Sequence, residues 1–226
     1  MKKWMAIAGA ALAVGSAQAA TVSYSFANTL ENTEISQTGS LGLFDTNLGT
    51  LTGASLSFGA ELAGTIMLTL GDAQATTSVR GTTTSDIGIN SSLAALDALF
   101  SGVSDLSLSY TTGFVALAPN SNYTSDLLND SDSLLVDLGS ILSSLGAAGG
   151  GSFDLSCESL SGLGITGGAG FSGGSQTTQG ACNASIVYTY DSAPPPTNTV
   201  PEPAALSFFG LAALGFAAAN RRRKIR

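Results

Sequence analysis

Ala184-Ser185-Ile186-Val187-Tyr188-Thr189-Tyr190 sets Ala184, Ile186, Tyr188 and Tyr190 at alternate positions, with Ser185, Val187 and Thr189 between them. Successive side chains of a strand point to opposite faces, so this alternation reads as a strand with one buried face. The same pattern recurs upstream. Val22, Tyr24 and Phe26 alternate with Ser23 and Ser25, and Leu106, Leu108 and Tyr110 alternate with Ser107 and Ser109 behind Asp105. Leu51 to Phe58 and Ala63 to Leu70 read as two further strands, separated by Gly59-Ala60-Glu61. Several short strands with Gly, Asn and Asp between them predict a mainly β fold, an antiparallel β-sandwich.

Two stretches have helical spacing instead. Leu93, Leu96, Leu99 and Phe100 follow a candidate Ser92 cap. From Asp132 to Gly146, Leu134, Leu135, Leu138, Ile141, Leu142 and Leu145 fall on one helical face, with Asp132 as the capping residue and Gly146 as the stop. The sandwich is therefore expected to carry one or two short helices.

Both ends of the 226-residue chain read as targeting segments. Met1-Lys2-Lys3 is a basic start, Trp4 to Gly15 an apolar core, and Ala17-Gln18-Ala19 a small-x-small cleavage site, so residues 1–19 read as a secretory signal helix. Cleavage after Ala19 starts the mature chain at Ala20, with a cut after Ala20 as the neighbouring choice; an uncleaved anchor is the alternative, against which the shortness of the apolar run argues. An exported domain then occupies 20–193, a Pro-rich linker 194–199 and a tail 200–226. The tail holds Pro201-Glu202-Pro203, an apolar span over 204–219, and a basic end over 221–226 made by Arg221, Arg222, Arg223, Lys224 and Arg226. As a helix the span covers about 24 Å, against a hydrocarbon core of about 30 Å, so it is a marginal single transmembrane helix. The basic end places the C-terminus in the cytoplasm. A buried core helix with a solvated basic tail is the competing reading.

The tail resembles the PEP-CTERM sorting signal of Gram-negative bacteria, on the Pro-Glu-Pro motif, the short span and the Arg-rich end in that order. The resemblance implies recognition by an exosortase, a membrane-embedded cysteine transpeptidase that cuts near the motif, in bacteria that commonly make extracellular polysaccharide. Pro201, Glu202 and Pro203 are then substrate residues. The exported part is similar to the choice-of-anchor E domain at Tyr24-Ser25-Phe26, Leu43-Phe44-Asp45, Leu48-Gly49-Thr50-Leu51-Thr52 and Tyr188-Thr189-Tyr190, while Tyr123 to Gly174 departs from that pattern. This likeness implies a β-rich exported domain.

With the targeting ends removed, Arg80 alone faces fifteen of the sixteen acids, a net charge of −14. Such a surface repels nucleic acid and anionic lipid, and suits solubility or a divalent cation. Cys157 and Cys182 are the two cysteines of an exported segment, which favours a disulfide over two buried thiols. Closing so long a loop stabilises by about 3 kcal/mol, and the Gly- and Ser-rich segment from Glu158 to Ala181 is expected to have little else to order it.

The chain has no histidine, which removes Ser-His-Asp and Cys-His catalysis and His-based zinc sites. Gly162-Leu163-Gly164-Ile165-Thr166-Gly167 matches a dinucleotide fingerprint by chance, being read as a glycine-rich loop with no helix after it. Paired carboxylates for glycoside hydrolysis stay open, since spacing in sequence does not show which acids meet. Asp126, Asp130 and Asp132, with Asn129, are weak calcium candidates, and a solvated turn leading into the next helix is the favoured reading of the same cluster. No other metal or cofactor is implied. Asn90, Asn122, Asn129 and Asn183 fit the glycosylation pattern and read as surface loops.

Together these readings describe a non-enzymatic exported protein. It passes the secretion translocon, is held transiently at the inner membrane, is processed by an exosortase, and ends at the cell surface or in the extracellular matrix of a biofilm. The alternative is a polysaccharide-binding sandwich, with or without calcium, which should expose aromatics on one face. Tyr110, Tyr123, Tyr188 and Tyr190 are the tyrosines available for it, Trp4 being lost with the signal.

Overall fold

A computed structural model describes residues 19–72, 75–102, 106–167 and 170–193. The chain divides into two units, Met1–Ala193 and Pro194–Arg226, and every described residue belongs to the first. The expected signal helix before Ala19, the linker 194–199 and the transmembrane span 204–219 lie outside the described residues. No helix among the described residues is long and apolar enough to cross a membrane.

In chain order the strands are β1 (Ala19–Ala27), β2 (Glu31–Asn32), β3 (Ser36–Gly42), β4 (Phe44–Asp45), β5 (Gly49–Leu70), β6 (Thr77–Ser91), β7 (Leu106–Thr111), β8 (Val115–Leu117), β9 (Ser121–Thr124), β10 (Leu128–Asp137), β11 (Gly146–Ala147), β12 (Ser152–Gly167) and β13 (Phe171–Ser192). One helix, α1 (Ala94–Phe100), and a 3₁₀ segment, Gly139–Ser144, interrupt them. One sheet has the order β1-β13-β5-β10, with β2 on β13 and β9 on β5; the second has β3-β12-β6-β7, with β8 on β6. Pairing in both is antiparallel; the parallel pair is the short β4–β11.

Residues 184–190 sit inside β13. Ala184, Ile186 and Tyr188 are buried, opposite Phe58, Leu56 and Ala54 of β5, while Val187 is exposed. The β1 alternation holds as well, with Val22, Tyr24 and Phe26 half-buried and Ser23 and Ser25 outside, and in β7 Leu106, Leu108 and Tyr110 face inward. An antiparallel sandwich is the architecture.

Gly59-Ala60-Glu61 does not separate two strands. β5 runs through it, and its even-numbered residues from Ala54 to Leu70 face the core without a slip. Gly59 lies close to β13: a Cβ there would come 2.8 Å from Oδ1 of the exposed Asn183 and would turn that side chain aside. At the seam between β1 and β3, a Cβ on Gly42 would meet the Tyr24 ring at 2.6 Å, so the glycine lets the ring lie against the backbone.

The expected helix from Asp132 to Gly146 is absent. Its first part belongs to β10, which pairs with β5 from Leu128↔Gly64 to Asp137↔Ser55. Leu134 and Val136 turn inward there, while Leu135 stands 74% exposed, as alternation requires and a helical stripe forbids. The rest forms the 3₁₀ segment, with Leu138 and Leu145 buried on either side of it. The expected helix after Ser92 does form, as α1, burying Leu96 and Phe100, but Leu93 is its N-cap and no side chain caps it. Ser92 Oγ accepts instead from Asp154 N at 2.8 Å, and Ser91 Oγ from Leu93 N at 3.1 Å.

Cys157 of β12 and Cys182 of β13 form a disulfide that joins the two sheets through the core, with both residues buried. The segment between them is ordered by much more than this bridge. Gly162 to Gly167 is strand, not loop, paired with β6 from Thr84 to Val79, and Phe171 onward pairs with β5.

Candidate functional site

The chain from Glu31 to Ser36 passes from one sheet to the other. At one end Thr33 N donates to Thr178 O of β13 at 3.0 Å; at the other Ile35 N donates to Ser159 Oγ of β12 at 2.9 Å, and Ser159 N to Ile35 O at 3.2 Å. Between these anchors the backbone leaves one ladder before joining the next, so polar side chains fill the gap. Asn32, Thr33 and Glu34 on this crossing face Gln176, Thr177 and Thr178 of β13 across a cleft of about 350 Å³.

The cleft is held by bonds from beneath. Thr83 Oγ1, fully buried, donates to Gln176 Oε1 at 2.7 Å, and Tyr110 Oη donates to Thr178 Oγ1 at 3.4 Å. Ser161 N donates to Glu34 Oε1 at 2.9 Å, and Thr65 and Thr177 share a 2.7 Å hydroxyl contact. The wall carries one carboxylate and no basic side chain. Sequence reasoning missed all six residues. One signal was present: the inward, even-numbered positions of β13 are apolar from Cys182 to Tyr190 but polar at Gln176 and Thr178.

The calcium candidates do not converge. Asp130 Oδ2 accepts from Ser109 N of β7 at 2.7 Å, tying together the edges of the two sheets, and its Oδ1 accepts from Ser131 N at 3.0 Å. Asp132 Oδ1 accepts from Ser133 N at 2.7 Å, and Asp126 is exposed between β9 and β10. No group of three acidic or cysteine side chains among the described residues could hold a metal ion. Asp132 does share a shallow depression of about 340 Å³ with Glu61, Ser131, Ser133 and Asn183 on the outside of β5.

The tyrosines do not form an exposed face. Tyr110 and Tyr188 are buried, and Tyr123 and Tyr190 half-buried. Tyr188 packs edge-on to Tyr24, with ring centroids 6.2 Å apart, and 5.9 Å from Phe44; its Oη donates to Gly42 O at 2.9 Å. Burial, and secondarily Tyr24 beside it, push the Tyr188 phenol well above its usual range. Among the described residues the exposed aromatic side chain is Phe114, with the Arg80 guanidinium 5.0 Å from its ring centroid. The four glycosylation-pattern asparagines are exposed but lie in β6, β9, β10 and β13, not in loops.

Ala19 and Ala20, flanking the expected signal cleavage, are the first residues of β1 and pair with Asp191 and Tyr190. Pro201, Glu202, Pro203 and the basic residues from Arg221 to Arg226 lie outside the described residues.

No curated protein matches the chain. Among solved structures, one of the infectious bursal disease virus Gt strain aligns at 16% identity over 78% of this chain and 38% of that one, with a TM-score of 0.18. This chain thus spans well under half the length of that protein. The empty head of turnip yellow mosaic virus aligns at 12% identity over 88% of this chain and 95% of that one, at a TM-score of 0.21. Tobacco streak virus coat protein aligns at 11% identity over 84% and 99%, at 0.21. Scores this low carry no argument about fold or function. Residues 199–224, in contrast, match the family model of the PEP-CTERM protein-sorting motif. The chain therefore ends in a PEP-CTERM sorting motif, which indicates an exported protein with an exosortase as its processing partner.

Proposed function

We propose that this is a non-catalytic surface or extracellular-matrix protein of a Gram-negative bacterium, exported through the secretion translocon and released from a transient inner-membrane stage by cleavage at Pro201-Glu202-Pro203. The observation that carries the reading is the sorting-motif match at 199–224. On it, the marginal span 204–219 and its basic end form a handle that orients the chain for cutting, with the working domain outside. The buried Cys157–Cys182 bridge supports the same route, because disulfides persist in oxidising compartments. The likeness of the exported part to the choice-of-anchor E domain belongs to this proposal too.

A second reading, binding of polysaccharide, is favoured by the polar cleft between the crossing segment and β13. Stacking on an aromatic platform gains nothing from the buried tyrosines, so such binding would rest on hydrogen bonds. Sorting is tested in the producing cell by fractionation of Glu202→Ala and of a chain lacking 221–226. Both should accumulate uncut in the inner membrane, and normal release of either one overturns the sorting proposal.

A further inference from the structure

We infer that the cleft between the 31–34 crossing and β13 is a binding site for a neutral carbohydrate, and that Glu34 excludes acidic sugars from it. The inference deepens the polysaccharide-binding reading and rests on it. The hydrogen-bonding groups that the protein has already used decide which ligand fits. Gln176 Oε1 is taken by the buried Thr83 hydroxyl, which leaves the two Nε2 hydrogens unclaimed among the described residues. Asn32 Oδ1 accepts from Gln179 Nε2 at 3.5 Å, which leaves its Nδ2 hydrogens in the same position. Glu34 Oε1 is held by Ser161 N, and its Oε2 has no donor among the described residues.

The residues lining the cleft therefore include two amides with unclaimed hydrogens, Asn32 and Gln176, and one carboxylate acceptor, Glu34. A carboxylate or sulfate ligand would satisfy the donors but meet the Glu34 charge, with no basic side chain in the wall to offset it. A cation would satisfy Glu34 but face amide hydrogens. A sugar hydroxyl both donates and accepts, so adjacent hydroxyls on one ring can accept hydrogen bonds from the amides and donate one to Glu34 Oε2 while the ligand stays uncharged. The groups are also set in place before binding, since Thr83 and Ser161 belong to the β6–β12 ladder and Gln176 to β13. Preorganisation of this kind lowers the entropic cost of binding.

The test uses the full-length chain in detergent micelles, titrated calorimetrically with neutral oligosaccharides of glucose, mannose and galactose, and with an oligomeric uronic acid of equal length. Saturable binding of at least one neutral oligosaccharide is expected, with the uronic acid bound at least about tenfold more weakly. Asn32→Ala, which removes an exposed side chain, should weaken neutral binding by up to about tenfold. Glu34→Gln should narrow the gap between neutral and acidic sugars, and Glu61→Gln, in the separate depression on β5, should change neither. Melting curves of the variants establish that each is folded. Neutral binding that survives Asn32→Ala and Glu34→Gln unchanged, or equal binding of the uronic acid by the natural chain, overturns the cleft assignment. Failure of every sugar to bind overturns the polysaccharide-binding reading itself, and leaves the sorting proposal standing on its own test.

Discussion

Replacing both cysteines, Cys157→Ala with Cys182→Ala, should lower the melting temperature of the exported domain by about 6 to 12 °C. The two residues are 25 apart in sequence, 6.7 Å apart at Cα, and buried on facing sheets. Cross-linking a loop of that size removes about 3 kcal/mol of conformational freedom from the unfolded chain. For a domain of this size each kcal/mol moves the midpoint by roughly 2–4 °C, which gives the stated range. The void left by two absent sulfur atoms adds to the loss, so the upper half of the range is expected. The fold itself should survive. β12 keeps its ladders with β3 and β6, and β13 keeps those with β1 and β5. Thermal melts followed by circular dichroism, with and without reductant, measure the effect. A shift below about 3 °C, or a reductant effect on the variant as large as on the natural chain, would refute the cross-sheet bridge as a major constraint.

Other perturbations test separate parts of the structure. Because the Tyr188 phenol ionises at higher pH in the folded than in the unfolded chain, whose ordinary value is 10.0, its contribution is intact below about pH 10 and is lost as pH rises above it. Tyr188→Phe should be less stable at pH 7 by about 1 kcal/mol for the lost bond to Gly42 O, yet lose less stability between pH 10 and 11.5 than the natural chain does. Equal alkaline losses in the two proteins would contradict the burial argument. In β10, Leu135→Lys should change stability by less than about 0.5 kcal/mol, whereas Leu138→Ala, just beyond the strand, should cost about 2 to 5 kcal/mol in urea titrations. Similar large losses for both would restore the helical stripe.

What the sequence made legible was the part of the fold that runs on a single periodicity. Ala184 to Tyr190, Val22 to Phe26 and Leu106 to Tyr110 each show a two-residue repeat, and each buries the face that the repeat selects. The disulfide was legible because an exported chain with two cysteines has few other uses for them. The misreading of 132–146 arose where periodicity alone does not decide. Six apolar residues fall at helical spacing, but they serve a strand, a tight turn and a return. The strand ahead of them hid its alternation because its inward positions include Asp130, which bonds across to β7 where an apolar residue would have shown the pattern. Gly59-Ala60-Glu61 looked like a turn because Gly and Glu are poor strand formers, but the even positions on either side stay in phase. The cleft had least to show in advance. Thr33 and Thr178 are 145 positions apart, and only the crossing between sheets brings them together.

The central claim is that a signal at one end and a PEP-CTERM motif at the other deliver the sandwich outside the inner membrane, and the mature termini test it most directly. Intact-mass and terminal-peptide mass spectrometry on fractions of the producing cell should find, in the released material, an N-terminus at Ala20 or Thr21 and a C-terminus close to Pro201-Glu202-Pro203, without residues 204–226. Released protein that retains the basic end through Arg226, or a full-length chain confined to the cytoplasm, would contradict the account.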